Sequence, residues 1–243
     1  MAILLGPRKG KYVDGQVKAM PASNLPLAAV GVFLLWFGWF GFNAGSALTA
    51  GGLAATAFLT TNTASAAAML SWVFLDGAAG RRPSALGACM GAVVGLVAIT
   101  PAAGFVSVGS AVLIGVVAAS VSNLAVHWSS RSALDDTLDV FPCHGVGGVV
   151  GMLLTGALAT KTVNPDGADG LVFGGVELFG VHLAAMVGVA LFTFVGSWIL
   201  FKVVDKILPL RVTDEQEDAG LDLSQHDETI LLPDGAPLPH LAF

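Results

Sequence analysis

From Ala19 to Leu75 the chain runs 57 residues without an Asp, Glu, Lys or Arg, and from Pro83 to Ser130 it runs 48 more. A helix that crosses a bilayer needs about 20 apolar residues, so each run has room for two crossings. Two shorter uncharged runs follow, 21 residues from Val140 to Thr160 and 24 from Leu178 to Phe201. With 55% hydrophobic residues, 12% charged residues and a mean hydropathy of +0.79, the chain is far from a soluble domain, where about 25% of residues are charged. The expected fold class is an all-α integral membrane protein of six transmembrane helices, with the lipid bilayer as its solvent.

The spans are expected at Leu25–Ala47, Leu53–Leu75, Ser84–Pro101, Val108–Trp128, Phe141–Thr160 and Phe179–Ile207. Pro21 and Pro26 stand where a helix begins, and Arg81-Arg82-Pro83 makes a charged turn. The first ten residues hold Arg8 and Lys9 and no apolar core beyond Ile3–Leu5, so no cleavable signal peptide is expected there. With the N-terminus in the cytoplasm, ten of the eleven Lys and Arg residues fall inside and only Lys161 outside, which is the asymmetry of the positive-inside rule. The expected domains are a cytoplasmic loop over 1–22, a transmembrane domain over 23–209 and a cytoplasmic tail over 210–243. Much of the formal net charge of -6 lies in that tail. Its sequence DEQEDAGLDLSQHDETI suits either a docking segment or a solvated, partly disordered one.

The stretch DDTLDVFPCHGVGG opens the fifth span, with three carboxylates (Asp135, Asp136, Asp139) ahead of one histidine, His144. Carboxylates at a helix start cap free amides and complement the helix dipole. An ionisable ring at membrane depth is costly and faces a polar partner or a pore. His144 is therefore either a ring bonded to a neighbouring helix or a pore group. In the first span Phe42 and Ser46 lie four apart and share a helix face. Core packing and a back-bonded hydroxyl are the plain alternatives to a site for a cation. Trp36 and Trp39 read as packing or interfacial rings. Glycine spacings at Gly87/Gly91/Gly95, Gly41/Gly45 and Gly147/Gly151 allow helix backbones to approach closely. Cys89 and Cys143 form no CxxC pair, and the five histidines show no i, i+4 pair. Neither a metal nor any other cofactor is expected, and nucleic acid is not an expected partner.

Several segments together carry a resemblance: NLPLAAVGVFLLWFGWFGFNAGSAL, TNTASAAAML, the step Pro101–Gly104, DDTLDVFPCHGVGG and GLDLSQHDE. In this order, from about Ser23 to Glu228, they resemble the ammonium transporter family, which is related to the Rhesus proteins. The resemblance implies a fold of eleven helices, two inverted five-helix repeats and a final helix, of which this chain matches the second repeat and the final helix. The first pore histidine and the aromatic residues of the outer site belong to the other half, so Met1 reads as a fragment boundary or an internal start.

What the resemblance implies for function is ammonium and ammonia transport, not an enzyme. His144 takes the position of the second pore histidine in the proton relay. Phe42 matches an outer gate ring and Ser46 a hydroxyl at the external recruitment site. Thr100, ahead of the Pro101 break, would line the external vestibule, where proline frees a carbonyl for a hydrated cation. Asp136 and Asp139 would steady the helix that holds His144. The implied partners are ammonium or ammonia, two further copies in a homotrimer, and a PII-type signal protein at the cytoplasmic face; the implied location is the plasma membrane. Asp227 stands after His226 where relatives tend to carry glycine, which touches tail regulation and not the fold.

Rival classes fit less well. An intramembrane serine protease needs its serine near a histidine, yet Gly45-Ser46 and Gly109-Ser110 lie toward the expected outside while His144 enters from the cytoplasmic end. A water channel of the NPA type lacks its paired boxes here. A non-transporting fragment, or an ammonium sensor of the same fold, is the alternative carried forward.

Overall fold

The computed structural model describes residues 2–228 except Gly15, Ala19, Pro21, Ser23 and Ala133. Pro21, read above as a helix start, and the tail beyond Glu228 lie outside the described residues. The described chain is helical apart from two two-residue strands, and it divides into two compact units, Pro21–Phe194 and Met1–Met20 with Val195–Phe243.

In the second of these, α1 (Ala2–Leu5) is followed by β1 (Tyr12–Val13) and β2 (Gln16–Val17), paired antiparallel with Tyr12 opposite Val17.

In the larger unit, α2 (Leu25–Gly45) starts at Asn24, whose side chain accepts from Leu27 N–H at 2.9 Å, with Pro26 in the first turn. Its one buried residue is Asn43, which donates to Thr61 Oγ1 at 3.0 Å and so ties α2 to α3 (Gly52–Ala78). Next come α4 (Ala85–Ile99), capped by Ser84, and α5 (Val108–Ser129), capped by Ser107. A π-helical turn over Phe141–Val146 leads into α6 (Gly147–Leu158), and a short 3₁₀ turn precedes α7 (Val176–Ile207).

The core is built on α3, α4 and α5 and consists mainly of small residues, among them Ala64, Ala68, Ala98, Ala111 and Ala118. Such side chains bring backbones together. A Cβ on Gly95 would lie 2.6 Å from both Ala64 O and Ser65 Cα, and one on Gly91 2.7 Å from Trp72 Cβ. Gly151 meets the Ala98 carbonyl in the same way. Gly41 and Gly45, expected to do likewise, have open space where a Cβ would stand.

Among the described residues, five helices are long and apolar enough to cross a membrane: α2, α3, α5, the π turn with α6, and α7. The crossing expected at Ser84–Pro101 is instead a 15-residue helix, about 22 Å long at 1.5 Å per residue. It ends early because Pro101 offers no N–H and disfavours helix before it. The carbonyl that proline would leave free is Val97 O; it accepts the Thr100 N–H at 3.3 Å and keeps a second lone pair. Irregular backbone at membrane depth has to be satisfied by protein. Here the buried Thr60 hydroxyl donates to Ala103 O at 2.5 Å and Thr160 N–H to Phe105 O at 2.9 Å.

The charged turn after α3 folds back on itself. Arg81 Nε donates to Asp76 Oδ1 at 3.0 Å, and Asn123 Nδ2 reaches the same oxygen at 3.1 Å. Arg81 also donates to Asn123 Oδ1 at 2.6 Å, so the buried Asp76 is held from the turn and from α5.

In the unit joining the two ends of the chain, α8 (Asp214–Ala219) begins with a capping box between Thr213 and Gln216, and α9 (Leu221–His226) follows Gly220. Arg211 bonds Glu217 Oε2 at 2.6 Å and Leu5 O at 3.0 Å, Lys9 N–H donates to Glu217 Oε1 at 2.7 Å, and the Lys9 ammonium pairs with Asp218. The bond to Asp218 raises the Lys9 pKa above its ordinary 10.5. Glu215 is lowered from 4.5 by its own backbone amide and then by the Thr213 hydroxyl.

Two predictions arise from this packing. Gly95→Val should cost about 2 kcal/mol or more of thermal stability through overpacking, whereas Gly41→Ala should change the melting of the same chain little. The second concerns pH. A raised lysine pKa supports docking below 10.5, and that support is lost as pH climbs through the raised value; a lowered carboxylate pKa supports the start of α8 above 4.5, and that support is lost as pH falls through the lowered value. A spin label at Gln225 should thus stay immobilised between these limits and gain mobility beyond either; uniform mobility across the whole range would contradict the contacts.

Candidate functional site

The fifth expected span is prepared by its carboxylates. Asp136 Oδ2 accepts from Phe141 N–H at 2.7 Å, at the first residue of the π turn. Asp139 has φ of +51°, which turns the chain toward the helix, and its carbonyl accepts from Cys143 N–H at 3.0 Å. Pro142 and Cys143 are buried against the bundle, while the next residue, His144, is exposed. A π turn re-aims the side chains it carries and is frequent at functional sites. A Cβ on Gly145 would press on the Phe141 ring, at 2.8 Å from Cδ2, so the residue after the histidine has to be small.

Other histidines of the bundle are occupied. His127 Nδ1 lies 2.9 Å from Asn123 O and His182 Nδ1 lies 3.0 Å from Met152 O. A carbonyl only accepts, so both nitrogens carry a proton. The His144 ring makes no hydrogen bond among the described residues. Of the two readings of this ring, the bond to a neighbouring helix is not found among the described residues.

Phe42 and Ser46 lie at the end of α2, both exposed. The Ser46 hydroxyl donates to Phe42 O at 2.6 Å, the back-bonded arrangement common for helix hydroxyls; its oxygen keeps the capacity to accept. Thr100 Oγ1 donates to Leu96 O at 2.7 Å and accepts from Trp39 Nε1–H at 2.7 Å. Trp39 in turn meets Phe42 edge-on, with centroids 6.1 Å apart and planes at 64°. An open groove of about 630 Å³ is lined by Gly31, Leu34, Leu35, Gly38, Trp39 and Phe42.

The structure thus joins Phe42 to Thr100 through Trp39, a residue the sequence assigned to packing. Its spacing of three from Phe42 was the available signal; its bond to Thr100, 61 residues away, was not legible. Trp36 Nε1, by contrast, is buried without a partner among the described residues. His144 and Ser46 line neither this groove nor the two beside it on α2. His144 at one end of the expected path and Phe42 with Ser46 at the other are all exposed on the protein surface.

These features define a multi-pass α-helical membrane protein with an exposed histidine on a π turn and an aromatic cluster beside a broken helix. A profile of the Ammonium Transporter Family matches residues 1–230, and the chain belongs to that family. It is 44% identical over 229 residues to an ammonium transporter of Bacillus subtilis (strain 168) and 46% identical over 231 residues to a putative ammonium transporter of Methanothermobacter thermautotrophicus, covering 94% of this chain and 55% of each relative. Among solved structures, Saccharomyces cerevisiae Mep2 is similar with a TM-score of 0.79 at 36% identity, over 88% of this chain and 49% of that one. A structure titled Sensor Amt Protein is similar with a TM-score of 0.83 at 32% identity, over 93% and 55%. The chain spans about half the length of the relatives it matches.

The cap on the π turn gives a direct expectation. Asp136→Ala should lower thermal stability by about 1 kcal/mol, as loss of a helix cap does, and should speed hydrogen exchange at the Phe141 amide. Asp136→Asn, which keeps an acceptor oxygen, should restore most of the protection.

Proposed function

We propose that this chain forms one wall of a conduit for ammonium and ammonia, with His144 as its pore histidine. The observation that carries this is the presentation of His144. A capped π turn holds its neighbours in the bundle and leaves the imidazole outward and without a protein partner. An exposed, unbonded ring on a membrane-spanning element needs a polar surrounding, and a lumen shared with the facing wall supplies one. The remaining half of the relatives' length is the natural source of that wall.

The chemistry follows from desolvation. A bare ammonium ion in a dry passage costs on the order of tens of kcal/mol by Born solvation, and a neutral amine far less. Recruiting the cation outside, removing a proton and conducting ammonia avoids most of that cost. A neutral imidazole has one donor and one acceptor nitrogen, so paired rings, one from each wall, can accept from ammonia or relay a proton. At the outer end Phe42 offers a ring face, worth roughly 1–2 kcal/mol to a cation when desolvated, and Ser46 and Thr100 offer hydroxyl oxygens. Asp136 and Asp139 hold the π turn and take no part in the chemistry.

Within this proposal the α4 helix and the turn after it together make the third of six crossings, which correspond to the second repeat and final helix of eleven. Residues 1–22 and 210–243 face the cytoplasm of a plasma-membrane homotrimer, and the tail helices α8 and α9 offer a surface for a PII-type signal protein. The likeness to the sensor protein supports a second reading, an ammonium sensor of the same fold, in which the cation binds at Phe42 and is not passed on.

The decisive variant is His144→Ala in proteoliposomes carrying the complete transporter. Ammonium-driven current should drop to that of empty vesicles. Undiminished current would remove the assignment, and binding at Phe42 without current in the unsubstituted protein would favour the sensor.

A further inference from the structure

Trp39 stands between two of the residues given outer-site roles above. Its indole N–H is anchored on Thr100 Oγ1 at 2.7 Å, and its ring contacts Phe42 at an interplanar angle of 64°. Thr100 is itself fixed to Leu96 O at 2.7 Å, and it caps α4 immediately before Pro101. Phe42 is 63% exposed, so its ring has open space on the groove side. A cation is attracted to the face of an aromatic ring, while the edge carries the positive end of the quadrupole. The orientation of the Phe42 ring therefore decides whether it attracts ammonium or merely fills space.

We propose that Trp39 is a positioning residue: held by Thr100, it sets the angle of the Phe42 ring toward the cation and ties that angle to the break in α4. The ligands concerned are ammonium and small alkylammonium ions, whose charge is compact enough to sit on a single ring face. The inference rests on the recruitment role proposed for Phe42.

The test uses the complete transporter in lipid nanodiscs with Phe42 replaced by 4-fluorophenylalanine, read by fluorine NMR during titration with ammonium chloride and, separately, sodium chloride. Ammonium should shift the signal and sodium should not. Thr100→Val and Trp39→Phe should each raise the half-saturating ammonium concentration about fivefold, the size expected for one lost hydrogen bond. The double variant should be no worse than either single one, and Thr100→Ser should retain the unsubstituted value. A merely structural role would broaden the signal or lower the melting point without moving half-saturation. Unchanged half-saturation in both single variants, or strictly additive effects, would overturn the role of Trp39 while leaving recruitment at Phe42 standing. No ammonium shift in the unsubstituted transporter would overturn recruitment and the inference with it.

Discussion

Hydrocarbon offers no water to a backbone that leaves its helix, and the structure is arranged around two places where this chain does so. At Thr100–Val106 the helix breaks at proline, and the orphaned groups are taken up by Thr60 from α3 and by the Thr160 amide after α6. At Phe141–Val146 the helix widens to a π turn, and Asp136 receives the first amide. The first repair depends on close contact between α3, α4 and α6, and that contact depends on glycine and alanine at the crossings, whereas the second is local to its own turn. With larger residues the helices would separate and the first break would lose its partners. The small-residue core is thus the condition for the proline break in this setting, and irregular backbone is what turns Thr100 and His144 to their positions.

The same constraint explains why the exposed face is so apolar. Among the described residues, α7 buries none and α2 only Asn43, while Phe33, Leu34, Phe37, Phe192 and Phe194 are all well exposed. In water that surface would drive aggregation; against lipid or a facing protein wall it is at rest. His144 differs from its surroundings in kind, because an imidazole gains nothing from lipid. Under the function proposed above, a polar lumen is the surrounding that suits it.

Much of the fold was legible in the charge pattern. Spaces between charged residues located every long helix to within a few residues, and Ser84 caps α4 one residue after its uncharged run begins. Two features were not legible. The third span was read through to Pro101, but proline acts on the residues before it and the helix stops at Ile99. The π turn was read as ordinary helix, because it arises from where the bundle buries Pro142 and Cys143 and not from local propensity. Of the candidate residues, Asp136 had a readable local partner, five positions on. The links of Thr100 to Trp39 and of Asp76 to Asn123 span 61 and 47 residues, and such pairs are set by helix packing that no single segment encodes. The same holds for Gly41 and Gly45, whose spacing resembles that of the packed glycines although their faces are open.

The central claim is that His144 and Phe42 belong to one passage, closed by protein that faces this wall. An experimental structure of the complete transporter in a bilayer, solved at a resolution that orients side chains, tests it most directly. Both rings should border a single continuous, narrow lumen, with the imidazole of a facing histidine within hydrogen-bond reach of His144. A His144 ring in contact with lipid chains, or separated from Phe42 by packed side chains with no connecting space, would contradict the account.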